Sequence, residues 1–268
     1  MNRSNEIELP PKPEFSIRVG ITGHCADKLS DANIEHLKSS AKQLLSRLRE
    51  ILCAISAEGA EFYSTEPPNL KLITCLADGS DQIFAEAALE FGWKINVILP
   101  YSRCDYRNQL FNDAWKNRFD RILQSRDCEA IWELDGDNTT QTEKSYQNAS
   151  EMLVHASDLL VACWNGKQEG LPGGTLSVIN YALALKTPII WIPTENQTWR
   201  LLSDPLHLVG HCELKPIDWE NLAQHLNRQL IPSEEASQKL TRYFKTFEPS
   251  FNPDFVWQGF LYISSGGT

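Results

Sequence analysis

Short apolar runs closed by glycine or proline alternate with segments of helical periodicity, and this alternation limits the fold more than any other feature. SIRVGITG (16–23), LKLITCLA (70–77), KINVILP (94–100), DLLVACWNG (158–166) and TPIIWIP (187–193) read as buried strands, with IWEL (131–134) as a shorter one. Between the first two, Ile34, Leu37, Ala41, Leu44, Leu45, Leu48, Ile51, Leu52 and Ile55 recur at helical spacing behind a cap at Ser30 or Asp31. Further helices are predicted over SDQIFAEAALEFG, stopped by Gly92, near 105–125, near 143–156, and after PGGT. Strands that alternate with helices predict a Rossmann-like α/β fold, an open and mainly parallel sheet with helices on both faces. This domain is expected over residues 16–193. Beyond Pro193 the alternation weakens, and residues 194–268 read as a helical and irregular C-terminal extension. It holds a loop with one strand at LHLVG, helices at 218–230 and 233–246, and an aromatic tail that packs on the body or on a second copy in a homo-oligomer.

Composition sets outer bounds on function. Hydrophobic residues at 42% and charged residues at 22% are those of a chain with a packed core. The net charge of −10 argues against broad contact with a phosphate backbone, so nucleic acid is disfavoured as a partner. Seven widely spaced cysteines, with no Cys-x-x-Cys pair, suit reduced thiols in a cytoplasmic protein. The polar, proline-rich start lacks the apolar core of a signal peptide, and no apolar run approaches the ~20 residues of a membrane span. His207 and His211 have metal-like spacing only on a helix and have no acidic neighbour, so no metal is expected, nor any resident cofactor. Gly-x-Gly-x-x-Gly, the Gly-Lys-Ser/Thr phosphate loop and the Gly-x-Ser-x-Gly elbow are all absent.

Ligands of open parallel sheets bind beyond the carboxyl ends of the strands. Three segments place glycine or small polar residues there, and the expected ligand contacts are Gly20, Thr22, Gly23 and His24 after the first strand, Gly79, Ser80 and Asp81 after the second, and Gly173, Gly174 and a capping Thr175 after Pro172. Tyr101 and Arg103 follow Pro100 at another strand end, where an arginine can clamp phosphate. Trp164, ending its strand, either stacks on a base or caps the core. Asp81 and Glu86 are the candidate catalytic carboxylates, although five residues of helix place them on different faces. The plainer alternatives are a tight strand exit for the first loop, an ordinary helix cap for the second, and solvent exposure for Glu86.

Taken in order, IRVGITGH, LADGSDQIFAEAALEFGWKINVILPY, SDLLVACWNG and GLPGGTLSVINYALALKTPIIWI resemble the SLOG superfamily, over about residues 16–193. This Rossmann-like group includes the DNA-processing Smf proteins and the "lonely guy" cytokinin-activating phosphoribohydrolases. The resemblance implies that the glycine loops bind a nucleotide-derived ligand, either as a sensor of ADP-ribose-like or cyclic nucleotide signals in bacterial conflict or signalling systems, or as an N-glycosidase acting on a nucleoside monophosphate. In the hydrolases the third motif reads Pro-Gly-Gly-x-Gly-Thr-x-x-Glu, with a catalytic glutamate. Here Pro172-Gly173-Gly174 runs directly into Thr175, Val178 stands where that glutamate falls, and Cys25 replaces the arginine that many relatives carry after Gly-His. An enzyme reading must therefore rest on Asp81 or Glu86.

Overall fold

The β-branched and leucine-rich runs form the strands of one seven-stranded sheet in the computed structural model, which describes residues 12–167, 173–195, 197–203 and 216–239. In chain order the strands are β1 (Ser16–Gly23), β2 (Asn69–Thr74), β3 (Lys94–Leu99), β4 (Cys128–Glu133), β5 (Leu159–Trp164), β6 (Ile189–Pro193) and β7 (Arg200–Leu202). Their spatial order is β4-β3-β2-β1-β5-β6-β7. Every pairing is parallel except β6 with β7, which is antiparallel. The expected mainly parallel Rossmann-like sheet is what the chain forms.

The helices are α1 (Asp31–Glu58), α2 (Ser80–Glu90), α3 (Arg103–Gln109), α4 (Asp113–Leu123), α5 (Thr142–His155), α6 (Thr175–Ala184) and α7 (Trp219–Leu230). α1 begins at Ser30, whose hydroxyl accepts from the Asn33 amide in a reciprocal capping box. Its leucine and isoleucine stripe is buried, and the helix packs on α2, which in turn lies on β1, β2 and β3. On the opposite face, α5 and α6 pack on each other and cover a cluster that includes Ile73, Ile98, Leu160, Ala162, Trp164, Ile189 and Trp191. Residues of β5 alternate between the two faces, and all six are buried. This is why the strand reads as an unbroken apolar run.

Three sequence expectations need correction. The single helix foreseen over 105–125 is two, α3 and α4, because Asn112 caps a new helix by accepting from the Trp115 amide at 3.2 Å. Thr175 does not cap α6; Gly174 takes the cap position and Thr175 is the first helical residue. Strand β7 lies in a stretch read as loop. The strand expected at LHLVG lies outside the described residues, as does the aromatic tail. The chain divides into two compact units, residues 1–227 and 228–268. In the second, residues 234–239 are helical, as expected for the segment opening at Ser233.

Candidate functional site

The strand order reverses between β1 and β5. From β1 the chain builds outward through β2, β3 and β4, then returns to β1's other side with β5. The turns leaving neighbouring parallel strands in opposite directions open a crevice at such a point. β1 and β5 run in register to their ends, with Gly23 opposite Cys163. Just beyond, the Asn165 amide donates to His24 Nε2 at 3.2 Å, which leaves the imidazole proton on Nδ1. Burial lowers the His24 pKa, in keeping with that neutral ring.

A cavity of about 130 Å³ occupies this crevice. Thr22, Gly23, His24 and Cys25 line it from the first loop, Cys75, Ala77 and Asp81 from the second, and Gly173, Gly174 and Thr175 from the third. Tyr106 of α3, with Tyr146, Ser150 and Leu153 of α5, completes the wall, together with Lys28 and Val178. The three loops singled out in the sequence therefore meet in one space. A second lobe, of about 320 Å³, shares Cys25, Ala77, Tyr106 and Tyr146 with the first and extends to Asp27, Asp78, Gln109, Leu110 and Phe111.

Two glycines hold this geometry by close approach. Gly79 has φ +92°, and a Cβ there would sit 2.5 Å from the His24 carbonyl oxygen. The Ser80 amide and hydroxyl both donate to that same oxygen, at 3.1 and 3.0 Å. The first and second loops are thus bonded to each other. Gly173, at φ +76°, packs its backbone on α5, where a Cβ would meet the Gln147 amide nitrogen at 2.8 Å. That contact brings Gly174 and Thr175 to the rim. The amides of Thr175, Leu176 and Ser177 at the start of α6 have no acceptor among the described residues, so the helix presents donors and a positive end there.

Asp81 is the titratable group that stands out. It is 4% exposed, accepts from Thr74 Oγ1 at 3.1 Å, and lines the cavity. Burial pushes its pKa up to about 7, against the opposing hydrogen bonds from Thr74 and the Ala77 and Cys75 amides. Asp78 is held differently, accepting from the Ala26 amide at 3.3 Å and the Phe111 amide at 2.6 Å. Cys25 lies open at the rim. Its sulfur is nonetheless crowded by protein, and that burial, with Asp78 and Asp81, pushes the thiol up to about 12. A thiol pushed up in this way carries little thiolate at neutral pH.

Other expected contacts lie elsewhere. Gly20 is buried within β1, where a Cβ would strike Ser157 Oγ at 2.3 Å, so it serves the close packing of β1 on the turn between α5 and β5. Gly79 and Ser80 do not line the cavity and instead join the loops. Glu86 faces α4, where Arg118 Nε binds Oε2 at 3.0 Å and Arg121 binds Oε1. The alanines around it in sequence gave no sign of those partners. Arg103 pairs with Glu133 at 2.9 Å instead of the cavity. Trp164 is 2% exposed and packs on Trp191 with tilted rings whose centroids are 5.2 Å apart, so it caps the core. Tyr101, also buried, does not line the cavity and reaches it through Tyr146, Gln109 and the ring of Tyr106. The sequence reading missed Lys28, Tyr106, Ser150 and Tyr146. The two tyrosines carry no local motif, since only the tertiary fold brings α3 and α5 over the crevice.

No family model matches the chain, and no curated protein does. Solved structures that resemble it include DNA processing protein A from Helicobacter pylori (14% identity, TM-score 0.46, covering 80% of this chain and 81% of that one). DNA processing protein A from Streptococcus pneumoniae also resembles it (14%, TM-score 0.40, 68% of this chain), and there the chain spans half of its neighbour's length. A third is the Moco carrier protein from Chlamydomonas reinhardtii (13%, TM-score 0.34, 87% and 96%). One expectation is corrected by them: the Helicobacter pylori structure is described by its single-stranded DNA binding mode, which conflicts with setting nucleic acid aside as a partner. The physical reason is that net charge bounds the whole surface and no single face of it. Among the described residues, no helix is long and apolar enough to cross a membrane.

Proposed function

We propose that the crevice binds a nucleotide-derived small molecule, with its phosphate at the first turn of α6 beside Lys28 and its ribose against Thr22, Gly23 and Ser150. The observation behind this reading is the meeting of all three glycine-bearing loops around one cavity at the sheet's switch point. Helix-start amides, a lysine and hydroxyls supply donors suited to an oxyanion. The two lobes adjoin, and their sizes suit a ligand of several rings better than a lone anion. Isothermal titration of the full chain with ADP-ribose, cyclic nucleotides and nucleoside monophosphates tests the proposal. Micromolar binding by at least one is expected, and it should weaken about tenfold in Lys28→Ala. Absence of heat across the panel overturns it.

The buried, proton-holding Asp81 favours a second reading, cleavage of an N-glycosidic bond. A carboxyl group that titrates near neutral pH can give a proton to a departing base or take one from water. The position that holds glutamate in the resembling hydrolases is Val178 on the cavity wall, so Asp81 is the acid on which this chemistry depends. Release of free base from a nucleoside monophosphate, lost in Asp81→Asn while binding persists, would favour the enzyme; unchanged release would exclude Asp81 from it.

A further inference from the structure

The second lobe of the crevice has features that the phosphate and ribose contacts do not use. Phe111, in the link between α3 and α4, is 60% exposed, unusual for a phenylalanine, and it lines this lobe. Its backbone is fixed, because its amide donates to Asp78 at 2.6 Å and the same carboxylate holds the Ala26 amide. Gln109, at the end of α3, lines the lobe as well. Its Oε1 accepts from the hydroxyls of both Tyr101 and Tyr146, the latter at 3.1 Å. Those bonds orient the amide, and its Nε2 donors have no acceptor among the described residues. Asp27 adds an exposed carboxylate to the same wall.

From this juxtaposition we infer that the lobe is a nucleobase subsite, in which Phe111 stacks on the ring and Gln109 with Asp27 selects a base bearing a ring carbonyl next to an N–H, as in guanine or uracil. The inference rests on the nucleotide-binding reading above. Stacking on an exposed aromatic tolerates any base; selection comes from the oriented polar groups. Bidentate recognition of adenine by glutamine needs the side-chain oxygen and nitrogen together, and here the tyrosines occupy the oxygen. What Gln109 offers is donation alone, which a ring carbonyl accepts, while the Asp27 carboxylate accepts from the adjoining N–H.

The test is titration of the full chain with GMP, UMP, AMP and ribose 5-phosphate, in the native protein and in Phe111→Ala and Gln109→Glu. GMP or UMP should bind about tenfold tighter than AMP, and AMP tighter than ribose 5-phosphate. Phe111→Ala should weaken every nucleotide about tenfold and leave ribose 5-phosphate unchanged. Gln109→Glu keeps an oxygen for the two tyrosine hydroxyls but loses the donors, so the preference should shift toward AMP. Its melting temperature, matched to the native protein, shows that the fold is retained. Nucleotides that bind without regard to base, or a silent Phe111→Ala, overturn the subsite while sparing the nucleotide pocket. If none of these four binds, the subsite fails, and the nucleotide reading falls with it when ADP-ribose and cyclic nucleotides are silent as well.

Discussion

Asp81 shows how one side chain couples the site to the stability of the whole chain. Its pKa is raised by burial to about 7 from an ordinary value of 3.8, so the folded chain keeps a proton that the unfolded chain has already lost. Between about pH 4 and pH 7 the native state binds more protons, and stability falls as pH rises through that window before levelling off. Asp81→Asn has no such proton to lose. Its thermal midpoint should stay flatter across the same range, by an amount worth up to a few kcal/mol. Calorimetric melts of both proteins at several pH values check this, and parallel curves would show that Asp81 does not titrate there. Single residues also mark where the sequence was opaque. Asp81 was legible as a first-turn carboxylate behind a glycine. Glu86 looked equally chemical, because the arginines that hold it come from a helix more than thirty residues away. Trp164 could stack or cap until Trp191 was found beside it.

At the scale of elements, helix and strand patterns were readable because each element meets the sheet on one face or is buried on two, and periodicity records that burial. The break between α3 and α4 was not readable. It depends on Asn112 capping α4 and on Asp78 fixing the Phe111 amide, and the second of these comes from another loop. The α2–α4 contact yields a prediction of its own. Glu86 is a quarter exposed in its side chain and bridges two arginines, so Glu86→Gln should cost about 1 kcal/mol or less of stability. It should leave nucleotide affinity, and any base release, unchanged. Chemical denaturation and titration of the same variant read both quantities, and a loss of binding without a loss of stability would return Glu86 to the site.

Across the whole molecule, the sheet grades from interior to edge. β1, β2 and β5 are flanked on both sides, whereas β4 and β7 each have one neighbour. Native-state hydrogen exchange should therefore be slowest in β1 and β5 and fastest, among the strands, in β4 and β7; edge strands as protected as the centre would contradict this arrangement. The rim of the sheet was the part of the site best foreseen, since strand ends and glycines are local signals. The roof was not, because Tyr106 and Tyr146 arrive from segments forty residues apart in sequence. The reversal of strand order also fixes a sequence of events during synthesis. β1 emerges from the ribosome early, yet its partner β5 lies far downstream, and Arg18 waits for an Asp158 that is 140 residues later. A nascent chain can pair β1 with β2 and β2 with β3, but one flank of β1 stays uncovered until β5 is translated. A crevice lined from β1, β2, α5 and the start of α6 is therefore incomplete until translation has passed Thr175.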